Sequence, residues 1–108
     1  MPPSMRLVIS FKLARTLEKM HNYREARDQY YTNVVLAYVN GVHRRVLFDG
    51  NARALFARAA FILADFHEQA GESVQAEKIL RYVVEAKVSS SDDARQRIAR
   101  IRKERGVK

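Results

Sequence analysis

The chain has no cysteine. That excludes disulfide frameworks, thiolate metal sites and cysteine nucleophiles together. It has two prolines, Pro2 and Pro3, and four isolated glycines, Gly41, Gly50, Gly71 and Gly106. No Gly-rich phosphate loop is therefore present. Tryptophan is absent, and no apolar run approaches the roughly 18 residues needed to span a membrane. The N-terminus lacks the basic, apolar and small-residue succession of a secretory signal, which favours a cytoplasmic setting, with a bacterial envelope location open if the chain is part of a longer protein. Acidic residues are the minority: 12 Asp and Glu stand against 20 Lys and Arg, a net charge of +8. Such a surplus makes nucleic acid or an anionic surface the first suspicion.

What is present reads as helix. With 108 residues, the chain has room for one small domain. Between the glycines it is rich in Ala, Leu, Arg, Glu, Lys and Gln, all good helix formers. Leu7, Phe11, Ala14 and Leu17 recur at helical spacing, with Ser4 as the expected N-cap and a helix end near 21–22. Tyr23, Ala26, Tyr30, Val34 and Tyr38 form a second stripe, which Val42 and Val46 extend past Gly41. At Gly41 the helix either kinks or stops and restarts. Asp49-Gly50-Asn51 is a break, with Asn51 placed to cap the next helix. That helix carries Leu55, Phe56, Ala59, Ile62, Leu63, Phe66 and Ala70, and Gly71 closes it. A fourth holds Ala76, Ile79, Leu80, Val83, Val84 and Val88; a fifth follows Ser89-Ser90-Ser91 with Ala94, Ile98 and Ile101. Tyr31 and Val35 lie off the main stripe and mark a second buried face. The expected fold is all-α, about five helices.

Two segments are alike. Phe11, Leu13, Ala14 and Ala26, followed by Tyr30, match Phe61, Leu63, Ala64 and Ala76, followed by Leu80. The pattern resembles the tetratricopeptide repeat (TPR) family, in which small residues let paired helices approach and large ones fill the gap beside them. The resemblance covers residues 7–38 and 57–88. It implies a single TPR-like domain, 1–108, of antiparallel helical hairpins, with 91–105 as a polar-faced capping helix. The copies stand 50 residues apart instead of about 34, so an insertion lies mainly over 38–51. Two copies and a cap fall short of the three repeats such arrays need, which implies self-association or a longer parent chain.

The resemblance also implies a site. In TPR proteins the first helices of the repeats line a concave groove that takes peptides. By position, the lining is Phe11, Arg15 and Glu18 from the first copy, with Val8 beside them. Arg58, Phe61, Asp65 and Glu68 come from the second. The Lys and Asn set with which chaperone-binding members clamp a terminal carboxylate is not matched. The expectation is a non-enzymatic scaffold that binds a protein or peptide.

The alternative rests on charge. Arg95, Arg97, Arg100, Arg102, Lys103, Arg105 and Lys108 face Glu104 alone, which leaves residues 1–94 at only +2. A helix so basic could contact nucleic-acid phosphates. The competing reading is a solvated capping helix, since no base-reading motif accompanies the charge. Candidates for catalysis are weak. Glu18 and His21 have the i, i+3 spacing of carboxylate-bridged metal sites, but no second copy exists. Asp65, His67 and Glu68 do not share one face, and no nucleophile, base and acid spacing occurs. No metal, cofactor or catalytic residue is assigned.

Overall fold

The computed structural model describes residues 1–106 and is all-α, with five helices. Helix α1 spans Pro3–Lys19. Helix α2 runs without a break from Tyr23, as an α-helical turn and a half (Tyr23–Asp28), a π-helical stretch (Gln29–Val35) and a second α-helical piece (Leu36–His43). Helix α3 is Gly50–Gln69, α4 is Ser73–Glu85 and α5 is Ser91–Glu104. Among the described residues, no helix is long and apolar enough to cross a membrane. The chain divides into two compact units, Met1–Ala59 and Ala60–Lys108, so α3 contributes its first half to one and its second half to the other.

Helix starts differ from the expectation. Proline at the first helical position needs no N–H partner, and α1 begins at Pro3 with Pro2 as its cap. Ser4 is not the cap; its hydroxyl accepts the backbone N–H of Asp49 at 3.0 Å. Asn51 is not a cap either. The Asp49 carboxylate accepts the N–H of Ala52 at 2.8 Å, and the helix starts two residues earlier than an Asn51 cap would place it.

Helix ends follow one rule. After α1, the N–H of His21 bonds to Glu18 and that of Asn22 to Leu17. After α3, the N–H of Gly71 bonds to Glu68 and that of Glu72 to His67. These are the paired bonds of a Schellman turn, and they recur 50 residues apart. Arg45 and Val46 close α2 in the same way onto Val42 and Gly41. All five ends need a left-handed residue: His21, Arg45, Gly71, Lys87 and Gly106 have φ of 62°, 63°, 77°, 55° and 76°. Only two are glycines.

In the first unit, α1 and α2 form an antiparallel hairpin. Phe11 meets Tyr30 edge-on, with ring centroids 5.6 Å apart. The π-helical stretch widens each turn by one residue. That brings Val35, five after Tyr30, into the core beside Val34. Downstream the stripe is shifted, so Gly41 is buried while Val42 is exposed. The helix runs through Gly41 and ends two residues later, at His43. Phe48 explains why glycine stands there: a Cβ at 41 would lie 2.7 Å from the Phe48 ring. Phe48 also touches Tyr38, which stacks on Phe56 at 4.2 Å. Leu13, the counterpart of buried Leu63, is 46% exposed. In the second unit α4 and α5 form the other hairpin, sealed by Leu80, Val83, Ala94 and Ile101. The Ser91 hydroxyl donates toward the carbonyls of Val83 and Val88, at 3.1 and 2.7 Å.

Lys87 tests the rule for helix ends. A non-glycine residue in the left-handed region costs about 1 kcal/mol, and among the described residues the Lys87 side chain forms no hydrogen bond or ion pair that offsets it. Lys87→Gly is expected to raise Tm by about 5 °C. Thermal unfolding followed by circular dichroism checks this, and an unchanged or lower Tm would refute it.

Candidate functional site

The residues assigned to the groove are engaged within their own units. Glu18 accepts the Tyr30 hydroxyl at 2.8 Å and pairs with Arg15 at 3.2 Å. Burial, and then the bond to Glu18, push the Tyr30 hydroxyl above its ordinary range. Arg58 lies over the Phe11 ring, 5.6 Å from its centre. Phe11 is buried, so its ring is shielded by Arg58 and is not itself a contact surface. Phe11, Arg15, Glu18 and Arg58 thus belong with Tyr30 to one stacked, hydrogen-bonded group that stiffens the hairpin. His21, the other half of the Glu-x-x-His spacing, hydrogen-bonds to the Tyr23 hydroxyl at 2.8 Å.

In the second unit, the groove residues and the basic helix meet each other. Arg97 pairs with Asp65 at 2.9 Å and lies over the Phe61 ring at 5.3 Å. Arg100 reaches Glu68 at 3.0 Å and Glu104 at 3.4 Å. Glu77 receives three arginines: Arg81 at 2.7 Å, Arg102 at 2.9 Å and Arg105 at 3.3 Å. Arg95 pairs with Asp92 at 2.8 Å. Of the tail cations assigned to anion contact, Lys103 alone meets no carboxylate among the described residues; Lys108 lies outside them. The cleft between α3 and α5, about 730 Å³, is accordingly lined by both signs of charge, with Arg97 and Arg100 paired to Asp65 and Glu68 and with Asp93 at the same lining.

A different cleft carries unmatched charge. It lies in the first unit, between the start of α1 and the end of α2, with a volume of about 360 Å³. Leu7, Ala37, Gly41, Val46 and Phe48 give it an apolar lining. Ser10 and Asn33 supply polar atoms; Arg6 and Arg44 supply the charge. No carboxylate lines it, and among the described residues neither arginine forms an ion pair. The cleft exists because the chain after α2 folds back. The left-handed Arg45 reverses it, Phe48 lands on Gly41, and Asp49 is held by Ser4. An apolar pocket with a few convergent polar groups is the usual form of a ligand site. The reading from sequence missed Arg6, Arg44 and Phe48. The available signal was Phe48 itself, an aromatic residue inside a segment taken as an insertion. Among the described residues, no three His, Asp or Glu side chains gather as a metal site would require. Compared with known proteins, the chain matches no family model, no curated protein and no solved structure.

Glu77 provides the test of the paired helix. Its hydrogen bond from Arg102, reinforced by the charges of Arg102, Arg81 and Arg105, outweighs desolvation and holds the carboxyl below the ordinary glutamate range. A lowered folded value stabilises the fold above the ordinary value of 4.5, and that stability is lost as pH falls through the folded value. Glu77→Gln is expected to cost about 1–2 kcal/mol near neutral pH, less than a fully buried pair because the arginines are partly solvated. Urea unfolding across pH checks both claims: the difference from wild type should shrink in acid. A difference that is constant with pH would refute the ionic account.

Proposed function

We propose that this chain is a non-enzymatic protein-interaction module of the TPR kind, and that it receives a peptide segment of its partner in the cleft of the first unit. The observation that carries the reading is the combination in that cleft of an apolar floor with Arg6 and Arg44, two guanidinium groups without an acidic partner among the described residues. Guanidinium is a planar, forked donor suited to carboxylate. Leu7, Val46 and Phe48 offer an apolar side chain a dry seat between these charges. The complementary occupant is a peptide with an apolar residue next to Asp or Glu. The pairing of small and large residues at equivalent places in 7–38 and 57–88 supports the repeat assignment.

Nucleic-acid binding through the last helix draws less support. Arg97, Arg100, Arg102 and Arg105 already hold carboxylates, and a phosphate would have to displace them.

The test uses two short fluorescein-labelled peptides, one with a Phe between glutamates and one with a Phe between lysines. Fluorescence anisotropy should detect binding of the first and not the second. Arg6→Glu with Arg44→Glu should weaken it by about tenfold or more, about 1.4 kcal/mol, without altering the helical spectrum. Equal binding of both peptides, or binding indifferent to the two reversals, would overturn the proposal. So would binding of a labelled RNA at low salt in place of the acidic peptide.

A further inference from the structure

Helix α1 has two apolar faces. Leu7, Phe11 and Ala14 are buried on one. On the opposite side Met5, Ile9 and Leu13 follow one another at four-residue spacing, and Met20 rejoins the line at the helix end. These four are 53, 49, 46 and 66% exposed. Thr16 belongs to the same line, and its hydroxyl donates back to the Lys12 carbonyl at 3.0 Å, so its polar group is satisfied within the helix. A stripe of this length on the outside of a small hairpin is more than scattered surface hydrophobes.

The charges around the stripe decide what covers it. Lys12 and Lys19 flank one edge and Arg6 the other. No Asp or Glu occurs before Glu18, which faces inward to Tyr30 and Arg15. A second copy laid stripe to stripe would bring cations against cations with no acid to separate them. A surface that is apolar within and negative at its boundary complements the face directly. The stripe is the convex side of one helix and offers no groove for a partner helix. Methionine side chains adapt to a fluid environment.

We infer that α1 docks on an anionic lipid surface. It lies in the interface with Met5, Ile9, Leu13 and Met20 at the acyl boundary and Lys12 and Lys19 among the headgroups. This is a separate surface from the cleft, and its key residues do not line that cleft.

Sedimentation with vesicles tests it. The full chain should bind phosphatidylcholine vesicles that carry phosphatidylserine and leave vesicles of phosphatidylcholine alone. Lys12→Glu with Lys19→Glu should reduce binding about twentyfold or more. Ile9→Asp with Leu13→Asp should abolish it while the helical spectrum and Tm stay near wild type, because both side chains are exposed. Failure of the folded wild-type chain to bind the anionic vesicles would overturn the inference. Undiminished binding by the Ile9→Asp, Leu13→Asp variant would do the same, since charge alone would then suffice. A dimer by light scattering that this variant abolishes would assign the face to a second copy instead.

Discussion

Gly41 and Phe48 share one volume, and the first unit depends on that arrangement. With no Cβ at 41, the Phe48 ring can lie against α2, where any other residue would meet it at 2.7 Å. From that seat Phe48 reaches Tyr38, and Tyr38 reaches Phe56. One missing methyl therefore links the end of α2, the returning strap and the start of α3. The same contact walls the cleft and fixes where Arg44 stands at its edge. A larger residue at 41 would crowd Phe48 and disturb both the aromatic ladder and the recess beside it.

The second unit depends on charge in a different way. Counted along the sequence, the basic surplus lies in the last fourteen residues. Counted by unit, residues 1–59 carry ten Lys and Arg against four Asp and Glu, while residues 60–108 carry ten against eight. The apparent basic tail is the cationic half of a set of ion pairs whose acidic half is Asp65, Glu68 and Glu77. Linear distance hid this, because Glu77 lies 25 residues before Arg102. Six of the eight net positive charges therefore belong to the first unit.

How much of this was legible follows from the range of each interaction. Helix content and the role of Gly71 are local, and the residues state them; the break expected at Asp49-Gly50-Asn51 lies earlier, over 44–49, with Gly50 and Asn51 already helical. Identical Schellman turns stand 50 residues apart, at His21 and at Gly71, and the same turn closes α2 at Arg45. Other features need knowledge of what is nearby. Asp49 takes the cap from Asn51 because Ser4 holds its N–H. The π-helical stretch has no signature at Gln29–Val35 except Val35 lying off the stripe, and it moves the later register so that Gly41 replaces Val42 inside. The groove residues were assigned by position in a pattern. Their actual partners, Tyr30 for Glu18 and Arg97 for Asp65, are not encoded in that pattern. Leu13 is the sharpest case: the alignment makes it core, and the fold leaves it outside.

In the two interactions proposed, the surfaces of the first unit would divide recognition between charge and apolar area. At physiological salt the Debye length is about 8 Å, so exposed cations such as Arg6, Lys12 and Arg44 act at close range and set which sign of partner is admitted. They cannot hold a partner alone, since an exposed ion pair contributes at most about 1 kcal/mol. Retention has to come from Leu7 and Phe48 in the cleft and from Ile9 and Leu13 on the stripe, through area removed from water. The two surfaces share the sign of their charge but differ in shape. A recess admits a single side chain; a convex helix face admits only a surface that can conform to it. Shape, more than net charge, would separate the proposed peptide from the proposed lipid surface.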